Sequence, residues 1–177
     1  MPILIHPIAD ADPAGVERLL DRAFGPDRHG RTAYRLREGV AAMPDLSFSA
    51  IDRGELVGTL QCWPIELASP DGSATPLVLL GPVAVQPERQ RHGIGRGLMR
   101  AALAAADASA ADPLVLIGDP EYYERLFGFH AAPTQGWTLP GPVERRRLLV
   151  RLTEGQTVPA EGLLGPRAGV GTSPTGG

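Results

Sequence analysis

The sequence predicts an α/β fold of the α+β type, built on a mixed, mostly antiparallel sheet. Three observations carry this reading. Two alternating segments, Leu46–Ile51 and Leu56–Leu67, flank the tight turn Asp52–Glu55 and read as a hairpin. An apolar strand, a glycine-rich turn, a long Ala/Leu helix and a second apolar strand follow one another from Leu77 to Gly118. Such a run demands a right-handed crossover and therefore a parallel pair.

Taken in order, Ile3–His6 is a short first strand. The segment DPAGVERLLDRAFG is a helix punctuated at both ends: Asp12 as N-cap, Pro13 at the first helical position, Gly25 just past the end. Val16, Leu19, Leu20 and Ala23 share one face at helical spacing. Arg31–Glu38 reads as a second, more polar helix stopped at Gly39. After the hairpin, Ser69–Ser73 is a turn, and Leu77–Val85 is an apolar strand interrupted by Gly81-Pro82, as expected of a bulge or an edge. The long helix runs to about Ala108. Pro113–Gly118 is nearly all apolar, the mark of a strand buried on both faces. A short helix around Tyr122–Leu126 and strands at Thr138–Leu139 and Leu148–Leu152 complete the domain, residues 1–152. Residues 153–177 read as a weakly structured Gly/Pro-rich tail, with Glu161–Leu164 as a stretch able to dock.

Composition narrows the function classes. The chain of 177 residues carries a net charge of −3, which argues against a nucleic-acid binder. Gln86–Arg100 holds four arginines and one glutamate, a local charge of +3 on a body of −6. A basic spot on an acidic surface suits a small anionic ligand. Cys62 is the single cysteine, so no intrachain disulfide can form and a reducing compartment is expected. The start MPILIHPIADADP lacks the charged and apolar regions of a signal peptide, and no apolar run approaches the ~18 residues of a span. A cytoplasmic protein with no membrane partner and no metal is expected.

The most informative stretch is QPERQRHGIGRGLMRAAL, Gln86 to Leu103, with glycines at 93, 95 and 97 at the mouth of a helix. A helix N-terminus offers free N–H groups and a positive dipole end, and glycines let them approach a phosphate. A P-loop is excluded because the chain has no lysine. The dinucleotide pattern Gly-x-Gly-x-x-Gly fails on spacing. Gln90-Arg91-His92-Gly93-Ile94-Gly95 matches Gln/Arg-x-x-Gly-x-Gly/Ala without a gap.

That segment resembles the pyrophosphate-binding segment of the GCN5-related N-acetyltransferases (GNAT), which hold acetyl-coenzyme A. The strand Leu80–Val85, LGPVAV, the run Gly118–Tyr123, GDPEYY, and Gly128-Phe129 extend the likeness over residues 3 to 152, toward a small bacterial set of that superfamily. The resemblance implies helices on both sheet faces and a parallel pair that splays to leave a slot for the pantetheine arm. It implies that Val83, Ala84 and Val85 pair with that arm through their backbone, and that the Val83 N–H meets the thioester oxygen. It places the pyrophosphate on Gln90, Arg91, His92, Gly93, Ile94, Gly95 and Arg96, with Arg89, Arg91 and Arg96 as candidates for charge contacts.

The reaction so implied is acetyl transfer to an amine, with a tyrosine protonating the departing thiolate. Counting from Gly118 points to Tyr123; the extra residue in YYERLFGF makes counting back from Gly128 reach Glu124, and the choice between Tyr122 and Tyr123 stays open. Glu66 is either the base or a strand-end carboxylate, Asp119 orients the site or caps a helix, and Cys62 and Trp63 are candidates for the acceptor side. The acceptor is a small-molecule amine or a peptide amine, and the chain is a monomer or a homodimer. A non-catalytic acyl-CoA-binding sensor or scaffold, and a nucleotide-binding domain, are the competing readings.

Overall fold

A computed structural model describes residues 3–90 and 92–168. The strands are β1 (Leu4–Pro7), β2 (Phe48–Asp52), β3 (Glu55–Ala68), β4 (Ala74–Val85), β5 (Leu114–Ile117), β6 (Gly136–Thr138), β7 (Leu148–Arg151) and β8 (Glu161–Pro166). The helices are α1 (Pro13–Phe24), α2 (Thr32–Leu36), α3 (Ile94–Ala108) and α4 (Pro120–Phe127). The strands form one mixed sheet in the order β1-β2-β3-β4-β5-β7, with β8 pairing both β3 and β6. β1–β2, β2–β3, β3–β8 and β5–β7 are antiparallel, while β4–β5 and β6–β8 are parallel. The parallel ladder of β4 with β5 is two pairs long, Val78↔Leu114 and Leu79↔Val115.

Two compact units alternate along the chain. The first comprises Met1–His29, Ala42–Cys62 and Leu80–Ala111; the second comprises Gly30–Ala41, Trp63–Leu79 and Asp112–Gly177.

In the first unit, the Asp12 carboxylate caps α1 by accepting from the Ala14 N–H at 3.3 Å, and Gly25 ends the helix at φ 91°. Val16, Leu19 and Leu20 form a core with Ala84 of β4. Each such buried aliphatic side chain contributes about 1.5–3 kcal/mol. The β2–β3 register shifts from Ala50↔Gly58 to Ile51↔Leu56, which leaves Val57 as a bulged residue. The bulge lets Leu56 pack with the α1 core while Gly58 faces α3. A Cβ at Gly58 would stand 2.8 Å from Ile94 Cγ2 and 3.1 Å from Leu98 Cδ1, so a glycine is what admits α3 to the sheet. Ala84 meets α1 and its neighbour Val85 approaches α3, which puts a helix on each face of this unit.

The core of the second unit gathers Leu36, Ile65, Leu67, Leu77, Leu79, Val115, Trp137, Leu148, Val150 and Leu164. Trp137 is fully buried and its indole N–H donates to the Pro159 carbonyl at 2.9 Å.

The structure corrects the sequence reading in places. β4 runs through Gly81-Pro82 as one strand, with Gly81 at φ 131°, a conformation glycine tolerates. α2 is shorter than expected, and Pro44–Leu46 is a 3₁₀ turn where β2 was expected to begin. The expected tail holds β8, whose residues pair with β3 from Ile65↔Pro166 to Ala68↔Leu163. Arg167 fastens its end: its guanidinium donates to the carbonyls of Ile65 (3.2 Å) and Leu77 (2.5 Å) and pairs with Asp112 at 3.3 Å.

Candidate functional site

The first unit carries the glycine turn. β4 ends at Val85, and the next residue, Gln86, is buried. Its backbone N–H donates to the Val57 carbonyl at 2.9 Å, and its side-chain amide donates to the Leu56 carbonyl at 2.9 Å and to Glu55 Oε1 at 3.1 Å. This anchors the 3₁₀ turn Pro87–Arg89 against the hairpin. Gly93 then takes φ 77° and ψ 8°, the left-handed conformation that starts α3, with no side chain capping the helix. The first intrahelical bond runs from the Gly97 N–H to the Gly93 carbonyl at 3.0 Å, so the first turn presents donors that the helix cannot satisfy itself. A Cβ at Gly93 would meet nothing within 4 Å, and one at Gly95 would meet only Val85 Cγ2 at 4.0 Å. Open space above the first turn of a helix, at its positive dipole end, has room for an anionic group such as a pyrophosphate.

The arginines divide into different tasks. Arg89 forms an ion pair with Asp52 and lies 3.7 Å from Glu55, so it braces the hairpin rather than standing free for a ligand. The hydrogen bond from Arg89 holds the Asp52 carboxyl below its ordinary pKa. Arg96 is exposed and has no ion-pair partner among the described residues. Arg91 lies outside the described residues. Gln90 and His92 are exposed, while Ile94 buries its side chain and leaves only its backbone to the turn. Gly97 has Ile5 Cδ1 at an ordinary 3.7 Å from a built Cβ; the close approach between α3 and the sheet belongs to Gly58. On β4, Ala84 is buried in the α1 core, whereas Val83 and Val85 are half-buried.

The second unit carries the tyrosines. Asp119 caps α4, its carboxylate accepting from the Glu121 N–H at 3.1 Å, and that engagement lowers its pKa. Gly128 closes the helix at φ 75°. Tyr123 is half-buried, and its ring lies over Gly118: a Cβ there would be 2.6 Å from Tyr123 Cε2. Tyr122 meets it edge-on with centroids 5.0 Å apart, and Phe129 packs against it at 6.3 Å. Burial, then Tyr122 and Asp119, push the Tyr123 phenol up to about 12. Glu124 is exposed, 3.6 Å from His130 Nδ1. Glu66 is half-buried on β3, and its Oε1 accepts from the Ala168 N–H at 2.9 Å. Trp63 stacks on the Arg37 guanidinium, 4.0 Å from the ring centroid, with Tyr34 at 3.8 Å from that same guanidinium.

Cys62, in the first unit, is fully buried, and desolvation pushes its thiol up to about 12. Its side chain is enclosed, so it does not line an open acceptor surface as expected. Gly58 and the seat of Tyr123 on Gly118 were missed by sequence reasoning. Gly58 sits inside a regular alternating strand where nothing local demands it, and that anomaly was the signal available. No helix among the described residues is long and apolar enough to cross a membrane.

Known proteins share this fold. Residues 5–132 match the family model described as the acetyltransferase (GNAT) domain. The chain is 28% identical over 130 residues to the uncharacterized N-acetyltransferase YhbS of Escherichia coli K12, covering 73% of this chain and 75% of that one. The crystal structure of YhbS in complex with CoA superimposes with a TM-score of 0.68 at 25% identity, covering 94% of this chain and 89% of the other. A GNAT family acetyltransferase from Brucella melitensis, in complex with acetyl-CoA, gives 0.67 at 27% identity over 94% and 97%. With the glycine turn, the parallel pair and the family match in agreement, this chain belongs to the GNAT acetyltransferases.

Proposed function

We propose that this chain transfers the acetyl group of acetyl-CoA to a primary amine by direct attack in a ternary complex. The observation that carries this reading is the first turn of α3, an open ring of backbone donors behind a left-handed Gly93. The N–H groups of residues 93–96 hold the pyrophosphate, with Arg96 adding charge and Gln90, Arg91 and His92 completing the loop. Val83, Ala84 and Val85 receive the pantetheine arm through their backbone. The Val83 N–H donates to the thioester oxygen as it gains charge, an effect on the order of 3 kcal/mol.

The attacking amine must be neutral, and for a lysine-like amine roughly one molecule in 2,500 is neutral at pH 7. Glu66 takes that proton through water, because one of its oxygens already holds the Ala168 N–H. Tyr123 protonates the departing sulfur, with Tyr122 its neighbour on α4 as the alternative donor. The acceptor is a small-molecule or peptide amine, and a reducing bacterial cytoplasm suits the single buried thiol.

Calorimetric titration with CoA and thiol release from acetyl-CoA across a panel of amines test the proposal. Binding with turnover of at least one amine supports it. Tight binding without turnover of any amine supports the sensor or scaffold reading instead. Preferential thermal stabilisation by ATP or NAD would sink the assignment of the coenzyme.

A further inference from the structure

In the first unit, β3 carries two polar side chains that the fold leaves unanswered. Thr59 is fully buried, and its Oγ1 has no hydrogen-bond partner among the described residues. Gln61 is half-buried, and its enclosed Oε1 is equally without a partner. Native folds pair nearly all such atoms, so each exception has to be accounted for. The polar side chains beside them are engaged. Ser49, directly opposite Thr59 on β2, donates to the His6 carbonyl at 3.4 Å. Ser47 donates to the Met43 carbonyl at 2.7 Å and accepts from the Cys62 N–H at 3.0 Å.

The backbone places this pair next to the proposed reaction centre. The Gln86 N–H donates to the Val57 carbonyl at 2.9 Å, which aligns β4 with β3. Two residues along each strand from that bond, Thr59 stands beside Ala84, a member of the α1 core. Four residues along, Gln61 stands beside Pro82, the neighbour of Val83. Residues two apart on a strand share a face, so Gln61 projects with Thr59 and Ala84. Gly58, on the opposite face, meets Ile94 and Leu98 of α3. Gln61 therefore faces away from α3, and it is the less buried of the two orphans.

We propose that Gln61 determines acceptor specificity, its side-chain oxygen accepting an N–H of the incoming amine and holding that nitrogen over the thioester carbonyl. The inference rests on the amine-acetylation reading and on Val83 as the thioester donor. An amide oxygen accepts and carries no charge, so it holds the neutral amine without selecting the ammonium form as a carboxylate does. Only the neutral form has a lone pair for attack. Thr59, fully enclosed, lies below the reach of the acceptor.

Steady-state kinetics with an amine that the wild type acetylates test this role. Gln61→Met, of similar length and without the amide, should raise KM for the amine about tenfold while KM for acetyl-CoA stays unchanged. Gln61→Glu, which keeps an acceptor oxygen at the same reach, should hold the amine KM within about twofold of wild type. Thr59→Val should leave both constants unchanged. A wild-type amine KM in Gln61→Met overturns the role of Gln61, as does an equal rise of both constants. A rise in Gln61→Glu as large as that in Gln61→Met, or a tenfold rise in Thr59→Val, overturns it too. A wild type that binds CoA and acetylates no amine overturns the acetylation reading itself, and this role with it.

Discussion

In the function proposed above, the working groups at the start of α3 are backbone N–H donors, and those at the start of α4 are phenol side chains. The first region needs only a glycine in the left-handed region, a free helix end and open space above it. Those requirements are local, so a short motif announces them. The second region depends on what surrounds each ring. Tyr122 and Tyr123 are adjacent and chemically identical, yet only Tyr123 lies over Gly118, with its phenol raised by burial. A backbone device is therefore written in sequence spacing, and a side-chain device is written in packing.

The largest expected effect separates the two regions. Tyr123→Phe should lower kcat by about 100-fold while CoA affinity stays at the wild-type value, and Tyr122→Phe should do far less. Thiol-release kinetics and calorimetry on the same preparations check this; equal losses in both variants would break the distinction drawn between the rings. Next comes Gly58→Ala, whose added Cβ meets Ile94 Cγ2 at 2.8 Å and the Ala84 carbonyl at 3.2 Å. Overpacking of this kind should cost about 1–3 kcal/mol in urea unfolding.

Gly93→Val should weaken CoA about tenfold, because a β-branched residue resists φ 77° by about 1–2 kcal/mol and the donors turn away. A calorimetric Kd equal to wild type would show that the turn does not hold the phosphates. Gly97→Ala should go the other way, stabilising α3 by about 0.5–1 kcal/mol, since its Cβ finds Ile5 at an ordinary distance.

The smallest effect concerns pH. The Asp52 carboxyl is held below its ordinary value by Arg89, so its stabilising contribution is full above the unfolded pKa of about 3.9 and is lost as pH falls through the lower folded value. Melting curves of wild type and Asp52→Asn should therefore draw together as pH falls below about 4; a gap of constant size down to pH 2 would contradict the pairing.

The helices with caps were legible to within a residue or two. Asp12, Pro13 and Gly25 bound α1 as their chemistry requires, and the turn Asp52–Glu55 joins β2 to β3. β8 was legible only as a stretch able to dock, because six residues with three glycines or prolines in or beside them carry little alternating signal. Its partners are supplied by β3 and β6, far away in the chain. Arg89 illustrates the same limit: by spacing it belonged with the ligand arginines, and tertiary packing gave it to Asp52.

The sequence by itself determined the class of sheet, the crossover that makes β4 and β5 parallel, the glycine start of α3 and the family. Those follow from periodicity, from chirality and from the freedom of glycine, all of which act within a few residues. Only the tertiary structure decided which arginines are spent on carboxylates, which glycine admits α3, and which tyrosine lies over Gly118. Those outcomes depend on burial and on distances between residues remote in sequence, and such quantities exist only once the chain has packed.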